Sequence, residues 1–201
     1  MPQRAILLAA GASTRMGRPK ALLPHPGGGT FLSAACAALA QGGAGPVLVV
    51  VAAPHGALVE RAARACGARV VWNPQPERGQ ISSLAVGLEA CGGAYALVAL
   101  VDHPALEPDT VRALLAAAER EPGLLHLPAF RGERGHPLVV PASLAAALRG
   151  ARAGEGARDV FARLGLAVRE HPLDDAGVLL DLDTPDELRR WQAGLTPDGL
   201  Q

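Results

Sequence analysis

Leu7-Leu8-Ala9-Ala10-Gly11-Ala12-Ser13-Thr14-Arg15-Met16-Gly17-Arg18-Pro19-Lys20 is the stretch that decides the fold of this chain. The apolar run 5–10 reads as a buried strand, and it breaks abruptly into small residues and then cations. Gly11 and Gly17 let the main chain curl with its N–H groups facing inward. Ser13 and Thr14 add hydroxyl groups, and Arg15 and Lys20 bring positive charge to the same loop. Donors and cations at the exit of the first strand of an α/β chain suit a polyphosphate. The spacing is neither G-x-x-x-x-G-K-[ST] nor G-x-G-x-x-G, because Lys20 stands three residues after Gly17. The plainer alternative is a strand-to-helix turn whose cations are merely solvated.

Outward from this loop, strand and helix patterns alternate. Thr30 is placed to cap a helix reaching Gln41, with Phe31, Leu32, Ala35 and Leu39 at helical spacing. The β-branched run 46–52 predicts a parallel strand buried on both faces. A helix over 55–66 follows, with Leu58, Val59, Ala62 and Cys66 on its inner side, and then a short strand over 69–72. The segment 95–101 is a fourth buried strand, and a helix beginning near Glu107 comes after it. Residues 124–130 and 136–140 flank Arg131-Gly132-Glu133-Arg134-Gly135 and predict a β-hairpin. Gly154-Glu155-Gly156-Ala157-Arg158 precedes a short helix carrying Val160, Phe161 and Leu164. The expected architecture is a three-layer α/β domain over 1–195 with a mostly parallel sheet and a mixed extension, leaving 196–201 as a tail.

Several polar residues stand where such a sheet would bind a ligand. Asn73-Pro74-Gln75-Pro76 cannot be helical, and Gly79-Gln80-Ile81-Ser82-Ser83-Leu84 opens the next helix. Its serines either cap that helix or face ribose and base; the two roles are compatible. Asp102, at the end of an apolar strand, needs a partner: it caps a turn, or it holds a divalent cation against phosphates. Asp181 and Asp183 are two apart in an extended segment and point the same way. Thr184-Pro185-Asp186-Glu187 is a capping box, so Asp183 is not needed as a cap. On residue type alone, His103 reads as a turn residue and His136 as a surface one.

The opening stretch resembles the L-x-x-G-x-S-x-R-M-G-x-x-K signature of nucleotidyltransferases with a nucleotide-diphospho-sugar-transferase (Rossmann-like) fold. It is most similar to the branch of molybdenum cofactor cytidylyltransferases. The resemblance implies that the loop wraps an NTP through Leu8, Ala9, Ala10, Gly11 and Ser13, with Arg15 and Lys20 on phosphate oxygens. Ala10 matches the cytidylyl branch, where the guanylyl branch carries glycine, so CTP is the implied nucleotide. An Asn-Pro and a Gly-x-x-S-S-L segment add Asn73, Ser82 and Ser83 to the nucleotide site. An Asp-x-Pro makes Asp102 a Mg²⁺ ligand, with Arg15 and Lys20 as its catalytic companions. A D-x-D-T-P segment gives the second ligand, Asp183 in preference to Asp181. A Gly-His-Pro places Gly135 and His136 on the acceptor side. A Gly-Asp-x-Gly-Ala-Arg element, matched imperfectly, leaves Arg158 either on an anionic acceptor or solvated. Relatives usually carry Gln or Met where this chain has His103.

Bulk composition narrows the function. Net charge is zero, with 19 basic and 19 acidic side chains, and aromatics make up 3% of 201 residues. Nucleic-acid surfaces need a basic face or stacking platforms, so none is expected. No apolar run approaches a membrane span, and no secretory segment is read at the start, which makes the cytoplasm the default location. Cys36, Cys66 and Cys91 are expected to be core thiols. The expected reaction is attack of a phosphorylated small molecule, molybdopterin by resemblance, on the α-phosphorus of an NTP, with a molybdoenzyme as implied recipient of the product. A sugar 1-phosphate acceptor and a non-catalytic cofactor carrier are the rivals. A Rossmann oxidoreductase is least supported, because its glycine fingerprint is missing.

Overall fold

Continuous β-branched and aliphatic runs suit strands buried on both faces of a sheet, and the runs at 5–8, 47–51 and 95–100 lie there. The computed structural model describes residues 5–194, so the tail expected over 196–201 and the chain start at 1–4 lie outside the described residues. Strands β1 (Ala5–Leu8), β2 (Val47–Val51), β3 (Arg69–Trp72) and β4 (Tyr95–Leu100) are parallel neighbours in the order β3-β2-β1-β4. Side chains along β1 alternate between two helical layers, Ala5 and Leu7 into one core, Ile6 and Leu8 into the other.

The first layer contains α1 (Phe31–Gln41), α2 (Gly56–Ala65), α4 (Pro108–Arg120) and α7 (Pro185–Gln192), which bury Leu32, Val59, Leu114 and Leu188. Opposite lie α3 (Gln80–Cys91), α5 (Ala145–Arg149) and α6 (Ala157–Arg163), burying Leu88, Leu148 and Phe161. Gly87 lets α3 press onto β1, because a Cβ there would stand 2.8 Å from Ile6 Cγ2. Thr30 caps α1 as expected, accepting from Ser33 N at 3.2 Å while Thr30 N donates to Ser33 Oγ at 2.8 Å.

The mixed extension differs in detail from the sequence reading. β5 (Leu125–Phe130) turns at Arg131 and Gly132 into β6 (Glu133–Arg134), so the expected hairpin forms, and the strand that follows completes its second arm opposite His126. β7 (Leu138–Pro141) is inserted between β4 and β5, antiparallel to both. β8 (Val168–Pro172) runs parallel to β5 and was not expected, since Val-Arg-Glu-His-Pro is mostly exposed and lacks an apolar face. On α2 the buried stripe is Gly56, Val59 and Ala63, so Leu58 and Cys66 face solvent; Cys36 and Cys91 are buried as expected. Leu164 is exposed at the end of α6. No described helix is long and apolar enough to cross a membrane.

Candidate active site

The chain winds from β1 through β2 to β3 and then crosses back to place β4 on the far side of β1. Strand order reverses there, and the carboxyl ends of β1 and β4 leave the crevice in which open α/β sheets bind ligands. A cavity of about 390 Å³ opens at that point, lined by the whole 8–16 loop, by Lys20, Gly79, Gln80 and Ser83, and by Asp102 and Asp183. The sequence-predicted Leu8, Ala9, Ala10, Gly11, Ser13 and Arg15 thus all border one space.

The loop is held in shape by its own polar atoms. Ser13 adopts the left-handed region with φ 51°, a turn from Thr14 to Met16 follows, and Gly17 reverses the chain at φ 68°. Ser13 Oγ accepts from Lys20 N at 3.1 Å and closes the loop, while Met16 is buried as its apolar anchor. Closing the loop aims Lys20 across the crevice. Its Nζ donates to Asp102 Oδ2 at 3.0 Å and to Asp183 Oδ1 at 2.6 Å. Arg15 Nη2 stands 2.6 Å from Asp183 Oδ2, with its side chain 66% exposed against 11% for Lys20.

The two aspartates meet because the chain after residue 180 is docked along the exit of β4, where Leu182 N donates to Asp102 O at 3.0 Å. The capping box of α7 then fixes Asp183 from the other side. Glu187 Oε2 accepts from Asp183 N at 2.7 Å and from Thr184 N at 2.8 Å, so the Asp183 carboxylate is left for the cations. Burial pulls the Lys20 ammonium down, but its hydrogen bond to Asp183 and the charge of Asp102 outweigh this, and the net shift is upward. The hydrogen bond from Lys20 and the nearby Arg15 hold Asp183 below the usual carboxylate range.

Asp102, His103 and Asp181 each bring one ligand atom to within 4.8 Å of the others. Asp183 lies outside this triplet, tied instead to Lys20 and Arg15. Burial, together with the charges of Asp102 and Asp183, pushes the Asp181 carboxyl up to about 6. The carboxylates of Asp102, Asp181 and Asp183 are oxygen donors of the kind that hold a divalent cation, and His103 adds a nitrogen donor beside two of them.

On the opposite wall the predicted polar residues take unequal places. Asn73 is buried, and its Nδ2 donates to Ser82 Oγ and Ser83 Oγ, each at 2.9 Å, while its Oδ1 accepts from Gln75 N at 2.9 Å. Ser82 Oγ shares its single proton between the carbonyls of Gln75 and Gly79, both at 2.8 Å. Neither serine caps α3, whose N-cap is Gly79. Ser83 borders the cavity, whereas Asn73 and Ser82 stand behind that wall and fix its position.

The residues expected on the acceptor side gather beyond Asp102. The rings of His103 and His136 are 4.8 Å apart, and the Nδ1 atom of each is buried without a hydrogen-bond partner. Sequence reasoning missed this pairing, since neither residue type announces a contact across 33 positions. Burial, then the neighbouring His103 and the charge of Arg158, push His136 down to about 4, against the pull of Asp102. Arg158 thus lies in the electrostatic reach of this corner. Gly135 sits under the passing backbone of Val178, which a Cβ would strike; His136 N donates to Val178 O at 2.9 Å. Gly135→Ala therefore forces the 176–179 turn away from β6, and a loss of about 1–3 kcal/mol is expected, read as a drop of several degrees in Tm.

The buried imidazole also sets a pH dependence. Between its ordinary 6.5 and about 4, the unfolded chain binds a proton at His136 that the folded one refuses, so stability falls as pH falls. The full effect is at most about 3 kcal/mol. Asp181 works the other way: its raised value makes the folded state take up a proton first, so its contribution improves as pH falls. His136→Gln removes the first effect alone. Unfolding free energies of wild type and variant from urea titrations should converge, or cross, between pH 7 and pH 4 by about 2–3 kcal/mol.

Residues 5–169 match the MobA-like NTP transferase domain, and the chain belongs to that family. Among curated relatives, "Nicotine blue oxidoreductase" of Paenarthrobacter nicotinovorans is 36% identical, covering 79% of this chain and 80% of its own. A "Probable molybdenum cofactor guanylyltransferase" of Rhodopirellula baltica is 35% identical over 69% of this chain and 66% of its own. The "Molybdenum cofactor cytidylyltransferase" of Escherichia coli is 28% identical over 90% of this chain and 91% of its own. Among solved structures, a nucleotidyl transferase from Methanothermobacter thermautotroptrophicus superposes with a TM-score of 0.78 at 26% identity, covering 95% of this chain and 96% of that one.

Proposed function

We propose that this protein transfers a nucleoside monophosphate from an NTP, CTP in preference to GTP, to a phosphorylated acceptor of the molybdopterin type, releasing pyrophosphate. The observation that carries the reading is Lys20 Nζ held between Asp102 and Asp183 at the mouth of a glycine-loop cavity. A lysine and an arginine that pair with carboxylates in the free protein can transfer those contacts to phosphate oxygens when an NTP enters. Asp102 with Asp183 or Asp181 would then be left to hold Mg²⁺. Bound there, that ion would supply Lewis-acid polarisation of the α-phosphate.

The remaining work falls to the chain itself. Backbone N–H groups of the 8–13 loop and Ser83 position the nucleotide, and Asn73 and Ser82 keep that wall rigid. The acceptor phosphate, whose second pKa is about 6, is already a dianion near neutrality and needs no general base. Its oxygen forms a bond to the α-phosphorus in line with the departing bond to the β-phosphate oxygen. That oxygen leaves with the electron pair as pyrophosphate, its charge met by Lys20 and Arg15. His136 and Arg158 line the side from which the acceptor arrives, and a molybdoenzyme is the proposed recipient of the product.

The oxidoreductase relative motivates a second reading, in which the same loop holds a nucleotide redox cofactor. One experiment separates the two. CTP, GTP, ATP and UTP are compared by competition binding and by pyrophosphate release with molybdopterin, beside oxidation of NADH or NADPH without any NTP. Tightest binding and fastest release with CTP support the proposal. A clear GTP preference moves the chain to the guanylyl branch despite Ala10, and reduced-cofactor oxidation alone favours the redox reading.

A further inference from the structure

A turn that follows a buried parallel strand usually exposes its polar residues, yet the one after β4 folds His103 inward. The imidazole is mostly buried, and its Nδ1 has no hydrogen-bond partner. One ring nitrogen of His103 shares a space of 4.8 Å with an oxygen of Asp102 and an oxygen of Asp181. Lys20 occupies one oxygen of Asp102, leaving the other, and Asp181 is exposed, so the space is open to solvent on one side. A second imidazole, His136, is packed at 4.8 Å against the first, also with an unpartnered buried Nδ1. Buried polar atoms are rarely left without partners in native proteins, and two together beside carboxylates mark a place for a ligand that accepts nitrogen and oxygen donors.

We propose that Asp102, His103 and Asp181 form a mixed nitrogen–oxygen site for a first-row transition-metal dication, which this chain takes in preference to Mg²⁺. Magnesium binds through oxygen and keeps most of its waters, gaining little from an imidazole. Co²⁺, Ni²⁺ and Zn²⁺ accept imidazole readily, and their affinity for such donors exceeds that of the harder dications. One nitrogen and two carboxylates leave coordination positions free for a phosphate oxygen or water, as a catalytic rather than a structural site requires. The triplet differs from the Asp102–Asp183 pair bridged by Lys20, because it recruits Asp181 and uses His103. It rests on reading the cavity mouth as the reacting centre, but its test needs neither nucleotide nor turnover.

Co²⁺ is the probe, because its visible absorption reports ligand type. Nucleotide-free protein is titrated with Co²⁺, and separately with Mg²⁺, by calorimetry and by absorption. Wild type is expected to bind Co²⁺ at least tenfold more tightly than Mg²⁺, with visible bands distinct from those of aqueous Co²⁺. His103→Gln should weaken Co²⁺ by about tenfold or more and leave Mg²⁺ binding nearly unchanged, while Asp181→Asn should weaken both. Should His103→Gln fold poorly, Asp181→Asn and the wild-type spectrum still decide. Equal affinity for the two ions, a spectrum of hydrated Co²⁺, or Co²⁺ binding indifferent to the loss of His103 would overturn the site. Absent pyrophosphate release beside intact Co²⁺ binding would count against nucleotidyl transfer alone.

Discussion

Asp102→Asn slows pyrophosphate release by about two orders of magnitude or more, the cost of losing one electrostatic contact that strengthens in the transition state. Asparagine keeps the size and hydrogen-bonding capacity of the side chain at the exit of β4, and the variant still folds. Lys20 retains Asp183 as a partner at 2.6 Å, so stability shifts by no more than about 1 kcal/mol. Asp183→Asn shows a smaller kinetic loss in the same direction, since a neutral oxygen can still ligate. Steady-state rates with saturating NTP, read beside thermal melts, separate the catalytic loss from any loss of folded protein. Undiminished divalent-dependent turnover in Asp102→Asn would remove the carboxylate from the mechanism.

Lys20→Ala produces a double effect, because one ammonium serves the free protein and the bound one. Nucleotide affinity falls by about tenfold to a hundredfold, the range of a charge-assisted hydrogen bond. In the free protein, two carboxylates 82 and 163 positions from Lys20 lose the cation between them. Removing one partner of a fully buried pair costs about 3–5 kcal/mol, but Asp102 and Asp183 are 29% and 32% exposed, so about 1–2 kcal/mol is expected here. The sign against pH follows from both partners. Lys20 is raised, so its contribution is complete below its ordinary 10.5 and is lost as pH rises through its folded value. Asp183 is depressed, so its contribution is complete above 3.8 and is lost as pH falls through its folded value. The Lys20–Asp183 share of the Tm gap between wild type and variant is therefore constant near neutrality and closes in acid, while the loss of Lys20 also lets Asp181 take up its proton at a higher pH. Added Mg²⁺ stabilises the variant more than the wild type, because it relieves repulsion that Lys20 otherwise screens.

What the sequence reveals depends on the kind of interaction involved. Strands β1, β2 and β4 are legible because burial on two faces demands aliphatic residues throughout, and α1 and α7 because Thr30 and Thr184 cap them through local hydrogen bonds. β8 is hidden because an exposed strand needs no apolar signature; its partner β5 supplies the hydrogen bonds. The antiparallel pairing of β7 with β5 is the hairpin that the sequence pattern expresses, whereas the pairing of β7 with β4 on its other side is non-local and leaves no such pattern.

In the site, the loop from Leu8 to Lys20 carries its reading in contiguous residues. Lys20 joining Asp102 to Asp183 depends on Leu182 docking against Asp102, which no local pattern records. The division between Ser83 on the cavity and Ser82 behind it is likewise set by which hydroxyl Gln75 and Gly79 claim. The inward turn of His103 toward His136 depends on packing between distant segments.

The central claim is transfer of the nucleotidyl group itself, and following the α-phosphate tests it most directly. Protein, a divalent cation and molybdopterin are incubated with NTPs labelled at the α-phosphorus, and the label is traced after separation. The account predicts label on the acceptor, one pyrophosphate released for each label transferred, and CTP as the preferred donor. Label that stays in the triphosphate for all four NTPs, in protein that binds them and retains its fold, would contradict it.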